Sequence, residues 1–115
     1  MVIAYVAVTA FTAVLNAWAA IADWLHAKFV LANAADVGVP QSWLPFLGAL
    51  KAAGAAGLLV GLMGVRSIGT AAATGLVLFF TGAVVAHMRA RAEKIVFPGS
   101  FLALAIAALV LAAAQ

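Results

Sequence analysis

Four stretches of this chain are almost wholly apolar, and polar residues gather between them. The apolar runs cover residues 2–22, 43–64, 68–87 and 95–114. Each is about the 20 residues that a helix needs to cross a hydrocarbon core of about 30 Å. The pattern predicts an all-α, four-transmembrane-helix bundle forming a single domain over residues 1–115. Between the first two spans lies DWLHAKFVLANAADVGVPQS, residues 23–42, the most polar stretch. It reads as a helical extension of the first span or a short interfacial helix, closed by a turn at Gly38-Val39-Pro40. Val65-Arg66-Ser67 reads as a tight turn between the second and third spans.

The polar residues inside the spans are few and ordered. On the first span Thr9, Thr12, Asn16 and Asp23 fall within an arc of about 60° at 100° per residue. In lipid such a seam must face protein or a cavity. The first run also ends near Ala17-Trp18-Ala19, a small-x-small pattern that a signal peptidase would accept. No Lys or Arg precedes the run, however, and it is long for a signal sequence, so a membrane span is the better reading. On the second span, Gly54, Gly57, Gly61 and Gly64 make a face about 80° wide that suits close helix approach. That face is a candidate surface for homo-oligomerisation. Beside it Lys51 sits about 12 Å inside the helix. An unpartnered ammonium there costs at least about 2.5–3.5 kcal/mol, so a partner is expected. Asp23, Asn16 and His87 are all allowed by helix register. Either the Lys clasps two helices together, or it handles a ligand or a proton. Thr70, Thr74 and Thr81 align on the third span and read as a packing seam. The last span, without an ionisable group, reads as a lipid-facing or packing helix.

Composition agrees with the pattern and removes several functions. Hydrophobic residues make up 69% of the chain and charged residues 8%, against roughly 25% charged in soluble domains. Mean hydropathy is +1.26. The net charge of +3 is scattered between spans, so no nucleic-acid surface is expected and the bilayer is the main partner. There is no cysteine, which excludes thiolate chemistry and disulfides. Metal binding is not expected: only Asp23 and His26 share a helical ligand spacing. Trp18, Trp24 and Trp43 sit near span ends and read as interface anchors, with Trp24 in a ligand pocket as the alternative. His87 closes the third span and heads HMRARAEK, where Arg89, Arg91 and Lys94 accompany Glu93. It is either a solvated interfacial histidine or a functional one. Four spans place the loop with Lys28 and the loop with Arg89, Arg91 and Lys94 on one side of the membrane. Only Arg66 lies on the other side, so positive-inside counting makes the first side cytoplasmic and turns both termini outward. Asp23, His26, Lys51, His87 and Arg89 then converge on one mouth of the bundle.

Two segments carry a family resemblance. VGVPQSWLPFLGALKAAGAAGLLVGL, residues 37–62, and GAVVAHMRAR, residues 82–91, together resemble the DoxX-like family of small four-helix membrane proteins. The likeness lies in the Gly-Val-Pro turn, the Gly-rich second helix, and a third helix that ends in His beside a basic residue. Many members have Glu where this chain has Lys51, and Lys near the position of Asp23, as if one pair were kept with its charges exchanged. The family name comes from a subunit of a thiosulfate:quinone oxidoreductase, and some relatives are linked to thiol and oxidative-stress systems. The resemblance therefore implies an accessory membrane subunit of a quinone-linked or thiol redox system, in a bacterial cytoplasmic membrane, with a soluble redox partner. No haem, flavin or iron–sulfur pattern occurs, so no intrinsic cofactor is expected, although a bound quinone would fit. The alternative is an intramembrane enzyme or binding protein for a quinone, terpenoid or polyketide. In it Asp23, Lys51 and His87 transfer protons, and Asn16, Trp24, His26 and Arg89 contact the ligand.

Overall fold

The computed structural model describes residues 2–92 and 95–115. Glu93 and Lys94, counted above in the basic loop, lie outside the described residues. Four long helices match the four runs: α1 Val2–Trp24, α3 Leu44–Leu62, α4 Arg66–Arg89 and α5 Val96–Ala113, with a short α2, Lys28–Asp36, after the first. A single 3-10 turn, Gln41–Trp43, leads into α3. All four long helices are apolar and long enough to cross a membrane, and the long axis of 39 Å spans the core and part of both headgroup layers.

The polar linker resolves into a separate helix rather than an extension of α1. The chain turns at His26, which takes a left-handed φ of 52°. There the N–H of Ala27 bonds Ala22 O and that of His26 bonds Asp23 O, the paired bonds of a Schellman C-cap. The same pair of bonds ends α2 at Gly38, α3 at Gly64 and α4 at Arg91. Gly64 is therefore a turn residue with φ 118°, not a member of a helix face, and the third span begins at Arg66.

Helix order around the bundle follows the chain: α1 packs on α3, α3 on α4, α4 on α5, and α5 returns to α1. Small residues set the close approaches. A Cβ at Gly61 would lie 2.6 Å from Gly69 Cα, and one at Gly57 would lie 2.5 Å from Ala72 Cβ. At Gly54 it would meet Leu76 at 2.5 Å. The glycine face predicted as an oligomer contact is thus taken up by α4 within the chain, because antiparallel neighbours joined by a short turn meet first. The interior is built largely from Ala13, Ala19, Ala55, Leu58, Ala73, Leu76, Phe80, Phe101 and Ala105. Large apolar side chains such as Ile3, Phe11, Leu78 and Val110 point outward, as expected where lipid is the solvent. The α1 seam faces inward: Thr9, Thr12, Asn16 and Asp23 are all buried. The α4 threonines behave otherwise. Thr74 and Thr81 are exposed and bond the carbonyls of Thr70 and Val77, so they satisfy themselves on the lipid side rather than form a packing seam.

Candidate functional site

One end of the bundle is hollow. There α1 stops, α2 crosses, and α3 enters through the 3-10 turn, leaving a cavity of about 330 Å³ between them, α4 and α5. Val30 and Ala34 of α2 pack on Ala22 and Leu44, so the short helix roofs the space without filling it. The wall is mostly aromatic and aliphatic, with Phe29, Trp43, Leu47, Phe79, Phe80, Phe97 and Phe101 prominent. Four polar side chains interrupt it: Asp23, Lys51, Asn33 and His87.

Lys51 takes Asp23 as its partner, from the three candidates that register allows. Its Nζ donates to Asp23 Oδ2 at 2.9 Å, and it lies 5.8 Å from the centroid of the Phe79 ring. Asp23 is 3% exposed and Lys51 16%, so the carboxylate is buried, the ammonium is partly exposed, and the pair ties α1 to α3. Removing the ammonium alone would leave the Asp23 carboxylate stranded in a low-dielectric wall. An ammonium has three donors and a carboxylate several acceptor sites. One contact between them leaves the pair able to bond a polar atom brought into the cavity.

His87 is buried rather than solvated at the helix end. Its Nδ1 lies 2.8 Å from Ala83 O; a carbonyl only accepts, so this nitrogen carries the proton. In the neutral ring Nε2 is then an acceptor. It stands 3.3 Å from Asn33 Oδ1; with that oxygen toward the ring Nε2 is the donor, and with the amide turned over Nε2 accepts from its NH2 group. This contact joins α2 to α4 and fixes the imidazole at the cavity wall.

The remaining predicted residues do not reach the cavity. Asn16 lies two turns deeper on α1. Its Nδ2 donates to Thr12 O, and its Oδ1, like Thr9 Oγ1, is buried without a partner among the described residues. Trp24 is half-exposed and donates from its indole N–H to Pro45 O at 3.1 Å, a clasp between α1 and the first turn of α3. His26 is exposed in the turn and Arg89 is exposed at the end of α4. Among the described residues no three His, Asp or Glu side chains come together to hold a metal.

Sequence reasoning missed Asn33 and the aromatic wall. The rings form a continuous file. Phe79 meets Phe80 edge-on at 4.9 Å, and Phe80 meets Phe101 at 5.1 Å. Phe101 stacks with Phe97 at 5.9 Å, Phe97 with Phe29 at 5.6 Å, and Phe29 with Trp18 at 5.4 Å. The spacing of Phe97 and Phe101, four apart on α5, was the available signal, since it places both rings on one face of a helix that otherwise holds no chemistry.

No curated protein and no solved structure matches the chain. A family does. Its order of elements, its four membrane helices and the model of the DoxX-like family, which matches residues 7–112, agree: the chain belongs to the DoxX-like family.

Proposed function

We propose that this membrane protein binds a lipophilic, ring-bearing small molecule in the cavity at the α2 end of the bundle. One observation carries the reading: an apolar, aromatic cavity of about 330 Å³ has just two polar stations, the Lys51–Asp23 pair and His87 with Asn33. Such a wall with a few convergent polar groups is the usual form of a small-molecule site. A molecule with oxygen functions suits it, the ammonium donating to one oxygen and the imidazole or amide meeting another. A quinone has this chemistry, as do oxygenated terpenoids and polyketides. An accessory subunit that only bridged redox partners would have no use for a formed cavity, so we place ligand binding first. Service to a quinone-linked redox system, with a soluble partner at the cytoplasmic face, is compatible with it.

A second reading, proton transfer to or from the ligand, is favoured by the place of the His87 imidazole at the cavity wall, with Nε2 3.3 Å from Asn33 Oδ1. A general acid or base must stand within hydrogen-bond reach of its substrate.

Trp43 lines the cavity, so a bound quinone would quench its fluorescence. With Trp18 and Trp24 replaced by Phe, so that Trp43 alone reports, titration of menadione into the protein in native-lipid particles is expected to give saturable quenching. In the double variant Asp23→Asn/Lys51→Met, loss of one charge-assisted hydrogen bond, about 1.5–3 kcal/mol, weakens binding roughly tenfold or more. Quenching that rises linearly, or that is unchanged in the variant, would overturn the proposal.

A further inference from the structure

The cavity lies next to a weak place in the helix ring. Of the four neighbouring pairs in the ring, α1 and α5 pack most lightly on each other. Trp18 of α1 and Phe97 of α5 both stack on one ring, Phe29 of α2. The interplanar angles are 7° and 28°, so Phe29 lies parallel to Trp18 and at a moderate tilt to Phe97, and links the two. Trp18 and Phe97 are also exposed on the outer surface, where lipid chains lie. Phe29 and Phe97 both line the cavity. The same thin layer of rings therefore has the bilayer on one side and the cavity on the other.

The helix that carries Phe29 is lightly held. It has nine residues and is bracketed by two left-handed positions, His26 and Gly38. Its polar tie to the bundle is the 3.3 Å contact of Asn33 with His87. A nine-residue helix has little stability of its own, so its position depends on these contacts and on Val30 and Ala34 beneath it.

Resting on the binding function proposed above, we infer that Phe29 is the specificity-determining residue of a side portal between α1 and α5. Through it, a planar ring bearing a hydrocarbon chain passes from the bilayer into the cavity. A flat conjugated ring can take the place of Phe29 in the slot against Trp18 and Phe97, because both already stack on a flat ring there. Bulky, non-planar lipids such as sterols do not match it. The chain of the ligand then lies in the slot, toward the lipid, while the ring advances to Lys51 and His87. The site is selective for planarity at the portal and for oxygen functions inside.

The absence of cysteine makes a direct test available. Trp18→Cys/Phe97→Cys is joined across the slot by a short, reducible bis-thiosulfonate linker in vesicles containing phylloquinone. Phylloquinone carries the methylnaphthoquinone ring of menadione with a phytyl chain. Loading is followed by Trp43 quenching in the linked protein, and again after the linker is cut and the reductant removed. The portal predicts that linking slows loading about tenfold or more and that cutting restores it, since access through a blocked conformational step limits association. Equal loading in the linked and cut forms would overturn the portal while leaving the cavity reading intact. Failure of the wild type to bind either quinone would overturn both. If the cysteine pair does not fold, Phe29→Ala in the otherwise native chain serves instead. It is expected to load phylloquinone several-fold faster, and an unchanged rate refutes the gate.

Discussion

Neutralising Lys51 is the most informative single perturbation of this fold. Lys51→Met keeps the length and apolar stem of the side chain but leaves Asp23, 3% exposed, without its partner at 2.9 Å. Stranding one member of a buried ion pair costs about 3–5 kcal/mol. The lower end applies, since Lys51 keeps 16% exposure and part of the pair's strength is already screened, so about 3 kcal/mol is expected. Asp23→Asn is milder, about 1–2 kcal/mol, because the freed ammonium can extend toward the headgroups. The double variant Asp23→Asn/Lys51→Met buries no charge and should return to within about 1 kcal/mol of the wild type, giving a coupling of at least about 3 kcal/mol. The assay is reversible unfolding in mixed micelles, with helix content read by far-UV circular dichroism. Single variants within about 0.5 kcal/mol of the wild type, and additive in combination, would refute a structural role for the pair. The charge-exchanged variant Asp23→Lys/Lys51→Glu, which keeps one charge of each sign on α1 and α3, should fold better than either single exchange.

Other substitutions test separate joints of the argument. Gly61→Ala should be more disruptive than Gly54→Ala. Its Cβ would meet the Gly69 backbone at 2.6 Å, whereas the one at Gly54 meets the movable end of Leu76; about 1–3 kcal/mol separates a forced from a relaxed overpacking, read in the same micelle assay. His26→Gly should stabilise by up to about 1 kcal/mol, since glycine takes the left-handed φ of 52° without strain; a loss of stability or of quinone binding would give His26 a role beyond the turn. Asn16→Leu removes a buried, unpartnered carbonyl and should leave menadione binding unchanged, measured by Trp43 quenching. Trp24→Phe deletes the bond to Pro45 O and should cost about 1 kcal/mol with the cavity preserved.

The bundle was legible because lipid imposes one rule on long segments: backbone groups must be satisfied within the helix. Runs of about 20 apolar residues therefore gave the spans to within two residues or so. The inward turn of Thr9, Thr12, Asn16 and Asp23 followed from helical periodicity alone, and the need for a Lys51 partner followed from its depth. What escaped was local or three-dimensional. Helix α1 ends at His26 with no glycine to announce it, because the Schellman bonds and the packing of α2 override the residue's preference. Gly54, Gly57 and Gly61 were visible as a small-residue face, but sequence cannot say whether such a face meets another helix of the same chain or of a second copy. The ring file from Phe79 to Trp18 joins four helices, and periodicity within one helix does not show which rings meet across helices.

The central claim, that the cavity holds a lipophilic ligand, is tested most directly by native mass spectrometry of the protein released from native-lipid particles. The account predicts a discrete adduct near one per chain, identified on dissociation as an apolar molecule with oxygen functions and lost from the folded Asp23→Asn/Lys51→Met variant. A folded wild-type protein that carries only exchangeable phospholipid, in the same amount as the variant, would contradict it.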